Sequence, residues 1–502
     1  MQRSFVPSRP GVRGFPASPD KLSGAPGPVR GPLGNRLKPG VTRPPAGLPG
    51  ARRPAAAAPS LRQQAAAPAA FTIGLLGFYI AMHTSFAGEM LAIFLHFPFP
   101  VVGIFAVIVP LVVLFAGKAT RFFAAPVALP WLLLNGWMVL CAALSFYPRG
   151  SIMDVIPFEL RFQILPILFC AVATTSKATR ALLAWTAAGI IPALLLCATK
   201  GAQIEGRLGV LGTSLENPND LAFHLLWGSM LLLVFLLGKG KLGKIVAVIA
   251  IPASVWFILK TASRANFLTI FAVVAIAFLL AAPSVRMILL LAIPIGLAAM
   301  LPLLPRATVE RILAVVVSSS IDEVDKQTDA SSDEQVRGAL GSEAARMELA
   351  KLAVNATLRH PLFGVGMNMF ATETADYLLK DTGKKAPWQT AHNSYLKISS
   401  ENGVPALIFY AWSILSSIGM SWRTFSKARG RPGFEDATRN SVCILLALIV
   451  YAVGTFFCDI VYLPYLAITV SLAAANYLSF QNDDRLARAP MPMPMRVPSG
   501  VR

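Results

Sequence analysis

The sequence predicts an all-α polytopic membrane protein with about twelve transmembrane helices, and three observations lead to that class. The chain has 502 residues, of which 55% are hydrophobic and only 14% charged, whereas soluble domains are about a quarter charged. Apolar runs of the ~20 residues that a bilayer-crossing helix needs recur along the chain. Lys and Arg concentrate in alternate loops between those runs. Together these features exclude a soluble enzyme and an intrinsically disordered protein.

The two ends of the chain are predicted to be disordered cytoplasmic tails. Residues 1–69 hold eleven Lys and Arg but one acidic residue, Asp20, among many Pro, Gly and Ala. Such a segment cannot bury enough apolar surface to offset the entropy lost on ordering. Residues 480–502 have a similar composition. We expect solvated tails whose basic side chains meet at most the headgroups of membrane lipids.

Nine spans are predicted within residues 70–303 and three within 404–479. They cover 70–87, 98–116, 127–147, 153–174, 181–198, 219–238, 244–260, 264–283, 286–303, 404–421, 441–457 and 460–479. With the N-terminus inside, the short inner loops carry thirteen basic residues and the short outer segments carry six. This asymmetry predicts that both termini are cytoplasmic. Most of the net charge of +20 therefore comes from basic residues that set the orientation in the membrane. We expect no nucleic acid as a partner.

The connection 304–403 is predicted to form a large loop on the outer side. It is far longer than the usual connection between helices, and loops of that length are commonly functional or disordered. Its first part, Ser318 to Gln335, is polar and acidic, and we expect it to be flexible. Three helices are predicted after it: from a cap at Ser342 to Pro361, over 368–380 with an end near Gly383, and from Asn393 to Gly403, with Pro405 in the first turn of the next span.

Three arginines on the outer side run against the charge bias of membrane insertion. Arg161 lies inside the span I-P-F-E-L-R-F-Q-I-L-P, Arg264 lies in K-T-A-S-R-A-N-F-L, and Arg207 lies in the loop E-G-R-L-G-V-L-G-T-S-L-E-N-P-N-D. Each has a structural alternative: Arg161 can pair with Glu159, Arg264 can anchor at the interface, and Arg207 can be solvated. The segment Asn217–Asp220 fits a turn and helix cap. As a set, however, guanidinium groups at one face suit an anion such as a lipid diphosphate.

His392 stands at the start of the last outer helix, in T-A-H-N-S-Y-L-K-I-S-S-E-N-G. A neutral imidazole close to the membrane can accept a proton from a hydroxyl group. The alternative is a structural histidine at a helix cap. His392 is the candidate general base of the chain.

Four motifs, in this order along the chain, resemble the O-antigen ligase/polymerase superfamily. They are R-L-G-V-L-G-T with N-P-N-D-L-A, then T-A-S-R-A-N, then R-M-E-L-A-K-L-A-V-N-A-T-L-R-H-P-L-F-G-V-G-M-N-M-F (346–370), then A-H-N-S-Y-L-K-I-S-S-E-N-G-V-P-A-L (391–407). With the spans and the outer loop, the resemblance covers roughly residues 70 to 480. One departure is V-P-A where G-L-P-G is more usual in the family.

The resemblance implies a GT-C-like membrane glycosyltransferase of the bacterial inner membrane with a periplasmic active site. It implies that Arg207, Arg264 and Arg346 bind the diphosphate of an undecaprenyl-diphosphate-linked glycan and that His392 serves the acceptor hydroxyl. His392 and Arg264 are thus the predicted catalytic residues. The remaining predicted substrate contacts are the motif residues Asn217, Asn219 and Asn393 and the more loosely matching Arg161.

The chemistry agrees with this assignment. A diphosphate is already a good leaving group, so the site needs charge stabilisation and a base rather than a strong acid. We therefore expect no metal and no cofactor, and inversion at the anomeric carbon. The most favoured function is an O-antigen ligase that acts on lipid A core. Polymerases of O-antigen or exopolysaccharide use the same donor and stay open, and a glycolipid or anion transporter is the alternative from another class.

Overall fold

The computed structural model of the protein describes residues 66–95, 101–204, 206–300, 302, 330–383 and 390–488. The predicted tails, except 66–69 and 480–488, and the acidic segment up to residue 329 lie outside these residues. The first eight helices are α1 (Ala66–Thr84), α2 (Ala87–Leu95), α3 (Val101–Ala116), α4 (Ala128–Leu144), α5 (Pro148–Phe158), α6 (Leu165–Val172), α7 (Ser176–Ala188) and α8 (Ile190–Lys200). A 3-10 turn, Ala119–Ala124, precedes α4, and a π-helical turn, Glu159–Gln163, joins α5 to α6.

A small antiparallel ladder follows, between β1 (Ala202–Ile204) and β2 (Arg207–Gly209). This ladder is a minor departure from the predicted all-α class. The other helices are α9 (Pro218–Leu236), α10 (Lys241–Lys260), α11 (Arg264–Leu280), α12 (Pro283–Met300), α13 (Ala330–Arg359), α14 (Phe370–Thr382), α15 (Ser394–Ala428), α16 (Glu435–Gly454) and α17 (Tyr465–Arg488).

The prediction of a polytopic membrane protein is confirmed, but the number of spans supported by length and hydropathy is smaller than twelve. Among the described residues, seven helices are long and apolar enough to cross a membrane, and α1 with α2 makes an eighth if the pair, bent by 58°, is one span. The shorter apolar helices α3, α4 and α11 coincide with predicted spans. The predicted span 460–479 falls on α17, whose buried face includes Ser471, Asn476 and Ser479 and which is not among the seven.

The helix junctions gather at the two ends of the bundle. At one end, Arg180 pairs with Asp436 at 2.8 Å and the backbone N–H of Ser176 donates to Asp483. At the other end, Ser394 at the start of α15 bonds Thr455 and Cys458 after α16. Helix α9, with 19 residues, runs between the two ends and is about 28 Å long, close to the ~30 Å hydrocarbon thickness of a bilayer. The apolar core between the ends includes Trp131, Trp227 and Tyr451.

Helix α15 contains a break at Gly403, between residues 394–402 and residues 404–428. Gly403 has φ +78° and ψ 173°, and its backbone lies against the carbonyls of Pro361 and Leu362. Gly364, with φ +64°, lies equally close to the backbone of Glu401. Only glycine combines this conformation with such close approach. The predicted end of the outer helix at Gly403 is confirmed, and the break fixes the loop 360–369 to the start of the span.

Two predicted boundaries of the outer segment have different outcomes. The helix predicted over 368–380 is confirmed as α14, and Gly383 ends it in the left-handed conformation, φ +67°. The prediction that Ser342 caps a helix is wrong, because α13 begins at Ala330 and Ser342 lies inside it. Residues 334–340, E-Q-V-R-G-A-L, include five residues of high helix propensity, and the helix continues through them past the cap signal at Ser342. Similarly, α17 continues to Arg488, beyond the predicted start of the C-terminal tail at residue 480.

Candidate functional site

The end of the bundle that carries α13 and α14 contains a cavity of about 620 Å³, within the range of small-molecule sites. Its wall brings together three groups that are far apart in the sequence: β2 and the turn after it with the start of α9, one face of α13, and His392, two residues before α15. The lining residues are Arg207, Thr213, Ser214, Glu216, Asn217, Pro218, Asn219, Ala345, Arg346, Leu349 and His392. Five of the eight predicted site residues are in that list.

Arg207 is held rigidly at the first position of β2. Its Nε donates to the backbone carbonyl of Thr261 at 2.9 Å, and its Nη2 donates to Oδ1 of Asn219 at 2.8 Å. The strand pairing Ile204 with Arg207 fixes the backbone beside it. The guanidinium is therefore oriented before any ligand arrives, which is the arrangement that suits an anion-binding arginine.

The asparagines of N-P-N-D organise this wall. Asn217 caps α9 through a hydrogen bond of 2.9 Å from the N–H of Asn219 to its Oδ1, and Pro218 occupies the first turn. The buried Oδ1 of Asn219 also accepts from Ser263 Oγ at 2.8 Å, and Asn266 Nδ2 donates to the Asn219 carbonyl at 3.0 Å. The turn and cap expected from the sequence are confirmed. At the same time, these contacts tie the start of α9 to the start of α11.

Arg264 is the first residue of α11 and directly follows Ser263. It is half-buried but is not part of the cavity lining. Ala262, two residues before it, has φ +48°, a conformation that costs a non-glycine residue of the order of 1 kcal/mol and is concentrated at functional sites. The structure thus brings Arg264 next to the Asn219 cluster at the edge of the cavity.

Arg346 on α13 and His392 before α15 line the same cavity as Arg207. Arg346 is half-buried on α13 and, within the described residues, forms no hydrogen bond or ion pair. His392 has φ +48°, in the left-handed region that few non-glycine residues adopt. Burial lowers the pKa of His392 from 6.5, and the charge of Arg346 lowers it further, while Asp459 acts in the opposite direction. The imidazole is therefore neutral at pH 7 and able to accept a proton.

The predicted site residues Asn393 and Arg161 lie outside the cavity lining. Asn393 caps α15, because its Oδ1 accepts from the N–H groups of Tyr395 and Leu396 at 2.9 and 3.1 Å. Arg161 lies in the π-helical turn with an exposed side chain, and its carbonyl accepts a hydrogen bond from Tyr79. Neither residue lines the cavity, and no ion pair joins Arg161 to Glu159 within the described ranges.

Beneath His392 lies a buried polar network that the sequence analysis did not single out. Lys397 pairs with Asp459 at 3.1 Å, and Oδ1 of Asp459 is buried without a hydrogen-bond partner. Glu401 accepts from Tyr462 at 2.6 Å; it also accepts from the N–H groups of Asn368 and Phe370 at 2.9 and 3.2 Å. The sequence carried a signal only for the two network residues on α15. Lys397 and Glu401 follow Asn393 at four-residue intervals, which places all three on one face of a helix.

Positive charge rather than metal ligands characterises this site. Across the described ranges, no group of three or more His, Cys, Asp or Glu side chains is arranged to hold a metal ion. The acidic residues 322–325, which the sequence offered as the densest outer cluster, lie outside the described residues. The cavity instead contains two guanidinium groups, one carboxylate and one imidazole. This set can bind a diphosphate at one position and accept a proton at another.

Comparison with known proteins agrees with this geometry. Residues 227–411 match the family model described as O-Antigen ligase. The matched segment includes Arg264, Arg346 and His392, while Arg207 and the asparagines at the start of α9 precede it. No curated protein matches the chain. This polytopic membrane protein therefore carries an O-antigen ligase family domain at residues 227–411.

Proposed function

We propose that the protein is a membrane glycosyltransferase that moves a glycan from undecaprenyl diphosphate to a hydroxyl acceptor. The observation that carries this proposal is the convergence of Arg207, Arg346 and His392 on one cavity of about 620 Å³. The family match at residues 227–411 supports the same class of reaction. In the proposal the cavity faces the periplasm, both termini are cytoplasmic, and the acceptor is lipid A core, so the enzyme is an O-antigen ligase.

The donor is held by its diphosphate. Arg207 and Arg346 bind the phosphate oxygens, and Arg264 binds or stabilises the same charge from the edge of the cavity. Arg207 is oriented by Asn219 and the Thr261 carbonyl, so little reorganisation accompanies the growth of charge on the departing diphosphate. Asn393 is a cap and Arg161 lies outside the cavity, and we therefore leave both out of the proposed diphosphate site.

The transfer step is a displacement at the anomeric carbon. The acceptor oxygen forms a bond to that carbon while the bond from the carbon to the diphosphate oxygen breaks, and the electron pair leaves with the diphosphate. The neutral ring of His392 takes the hydroxyl proton. Since one nucleophile attacks opposite the leaving group, the configuration inverts. Arginines supply the charge stabilisation that a divalent cation supplies in other transferases, so the proposed reaction is metal-independent.

A polymerase of O-antigen or exopolysaccharide is the second candidate, because it shares the donor and differs in the acceptor. The family match at residues 227–411 does not distinguish between the two acceptors. A transporter is less favoured because the charged residues of the candidate site, Arg207, Glu216 and Arg346, line one cavity at one end of the bundle instead of a path through it.

The test uses purified protein in detergent, undecaprenyl-diphosphate glycan, lipid A core and EDTA. Wild type is compared with His392→Ala, Arg207→Ala and Arg264→Ala. The matched controls are His360→Ala, which changes another histidine of the outer segment, and Arg423→Ala, which changes an exposed arginine on α15 far along the chain from the cavity residues.

We expect core-linked glycan from wild type and both controls, and loss of at least about a hundredfold in the site variants. Longer lipid-linked glycan in place of core-linked product would identify a polymerase. Folded wild-type protein that transfers to neither acceptor would contradict the proposed function. Activity that disappears with EDTA and returns with a divalent cation would contradict metal independence.

A further inference from the structure

The turn after β2, residues 210–217, is a rigid part of the cavity wall. The N–H of Val210 donates to the carbonyl of Leu215 at 3.1 Å. Thr213 Oγ1 donates to the Val210 carbonyl at 2.7 Å and accepts from the N–H of Leu215 at 3.0 Å. Gly212, with φ +73°, donates its N–H to Oε2 of Glu216 at 3.2 Å. We refer to residues 210–217 as the sugar loop.

Helix α2 holds this loop from outside. Both carboxylate oxygens of Glu89 are used: Oε1 accepts from Ser214 Oγ at 2.6 Å, and Oε2 accepts from the Ser214 N–H at 2.9 Å. The carboxylate of Glu216 differs, because its Oε1 has no hydrogen-bond partner within the described residues. Glu216 is exposed and lines the cavity together with Asn217. The loop therefore presents a rigidly held acceptor that the fold itself does not use.

Electrostatics separates this loop from the rest of the cavity. Glu216 is the one acidic residue in the described lining, which also contains Arg207 and Arg346. A carboxylate is unsuited to a phosphate, because like charges repel. It suits a hydroxyl or an amide N–H, which it accepts in a charge-assisted hydrogen bond. The first sugar of the donor is bonded directly to the terminal phosphate, so a diphosphate held by the arginines puts that sugar within the same cavity.

We propose that the sugar loop binds the first sugar of the donor glycan and that Glu216 accepts a hydrogen bond from its hydroxyl or acetamido N–H group. This inference rests on the proposed function and names the substrate class of that site. The preferred first sugar is a neutral or 2-acetamido hexose. A hexuronic acid is disfavoured, because its carboxylate lies beside that of Glu216.

Binding tests this subsite without any requirement for turnover. The probes are undecaprenyl diphosphate alone, the same lipid with one 2-acetamidohexose on its terminal phosphate, and the same lipid with one hexuronic acid. Wild type should bind the acetamidohexose lipid more tightly than the bare lipid. In Glu216→Gln that gain should fall by about ten- to a hundredfold, the size expected for a hydrogen bond to a charged group, while affinity for the bare lipid does not fall, because the change removes a negative charge from the cavity that holds the diphosphate. The variant should also lose its discrimination against the hexuronic acid.

Glu348→Gln is the matched control, since Glu348 is exposed on α13 two residues from Arg346 but does not line the cavity. Glu216→Asp keeps the charge on a shorter side chain and should keep the discrimination against the uronic acid. The inference is overturned if Glu216→Gln weakens the bare lipid as much as the sugar lipid, or if it changes neither. Intact discrimination in binding with no transfer to any acceptor would instead count against the proposed function alone.

Discussion

Arg207 and Asn219 are joined by a hydrogen bond of 2.8 Å from Nη2 to Oδ1, although one belongs to a strand and the other to the first turn of α9. Asn219 uses the same oxygen to accept from Ser263, one residue before Arg264. The oxygen thus connects the segments that carry two of the proposed diphosphate-binding arginines. Loss of this oxygen is therefore expected to reduce activity more than the loss of a single contact would.

Replacing Asn219 with Ala should impair donor binding without removing an arginine. The change leaves a charged donor and a buried hydroxyl without their acceptor, and a hydrogen bond to a charged group contributes about 1.5–3 kcal/mol. We expect transfer measured as kcat/KM to fall about ten- to a hundredfold. Asn482→Ala is the control, because its amide bonds the Thr174 carbonyl at the opposite end of the bundle. Equal rates for Asn219→Ala and wild type would show that Arg207 does not depend on this bond.

The pH dependence of transfer should follow the protonation of His392. Its pKa is lowered from 6.5, first by burial and then by the charge of Arg346. The neutral base is thus present at pH 7, and kcat/KM should fall only below pH 6.5, as the ring gains a proton. Arg346→Gln removes a lowering influence and should move the acidic limb to higher pH. Asp459→Asn removes the raising influence of that carboxylate and should move the limb to lower pH.

The measurement is a series of rates from about pH 4.5 to pH 8 at each donor concentration. The two variants are compared by the midpoint of the acidic limb rather than by absolute rate, since both affect groups near the site. Shifts of the same sign in both variants, or a wild-type midpoint above pH 6.5, would refute His392 as the proton acceptor.

Substitution of Gly403 should destabilise the fold. A Cβ there would collide with the Leu362 carbonyl, and the φ of +78° is costly for any other residue type. We expect Gly403→Ala to lower the free energy of unfolding by about 1–3 kcal/mol or more. Gly419→Ala lies in the same helix with no atom within 4 Å of a new Cβ and should stabilise by up to about 1 kcal/mol. Thermal unfolding in detergent measures both, and changes of equal sign would contradict the argument.

The buried carboxylate of Glu401 should contribute more to stability than the hydroxyl that donates to it. Glu401→Gln keeps one acceptor oxygen and sets an amide N–H₂ either against the Phe370 N–H or against the Asn368 N–H and the Tyr462 OH, and we expect a loss of about 2–4 kcal/mol. Tyr462→Phe removes one donor to Glu401 and the hydroxyl that accepts from the Asn402 amide, and it should lose about 1–2 kcal/mol. Both are measured by unfolding in detergent. A loss from Tyr462→Phe as large as that from Glu401→Gln would show that the aromatic packing, not the carboxylate, holds the loop at 366–370.

Local signals in the sequence predicted the outer helices well. Gly383 and Asn393 mark the end of α14 and the start of α15 because left-handed glycine and asparagine caps are properties of a few neighbouring residues. The convergence of Arg207, Arg346 and His392 was expected only through the family resemblance. No periodicity links residues separated by more than a hundred positions.

Two features were not predictable in this way. Lys397 and Asp459 are 62 residues apart, and their pairing depends on how the end of α16 packs against α15. The position of Arg161 depends on the π-helical turn, which shifts the direction of the following side chains by inserting a residue into the helical repeat. Hydropathy placed Arg161 inside a span, and the residue lies in the candidate span Pro148–Val172, but hydropathy carries no information about which neighbour the side chain faces.

The hydrogen bonds of residues 210–216 are formed within the sugar loop and with Glu89. By contrast, Asn217 caps α9 and Arg207 is held by Asn219 and Thr261. Under the proposed function, the exposed side chains of this turn can therefore be replaced without disturbing the residues proposed to bind the diphosphate. Such replacements are expected to change which first sugar is bound and to leave the proposed transfer chemistry unchanged. Sugar specificity can then vary while the mechanism stays the same, because the sugar loop and the arginines are separate parts of one cavity wall.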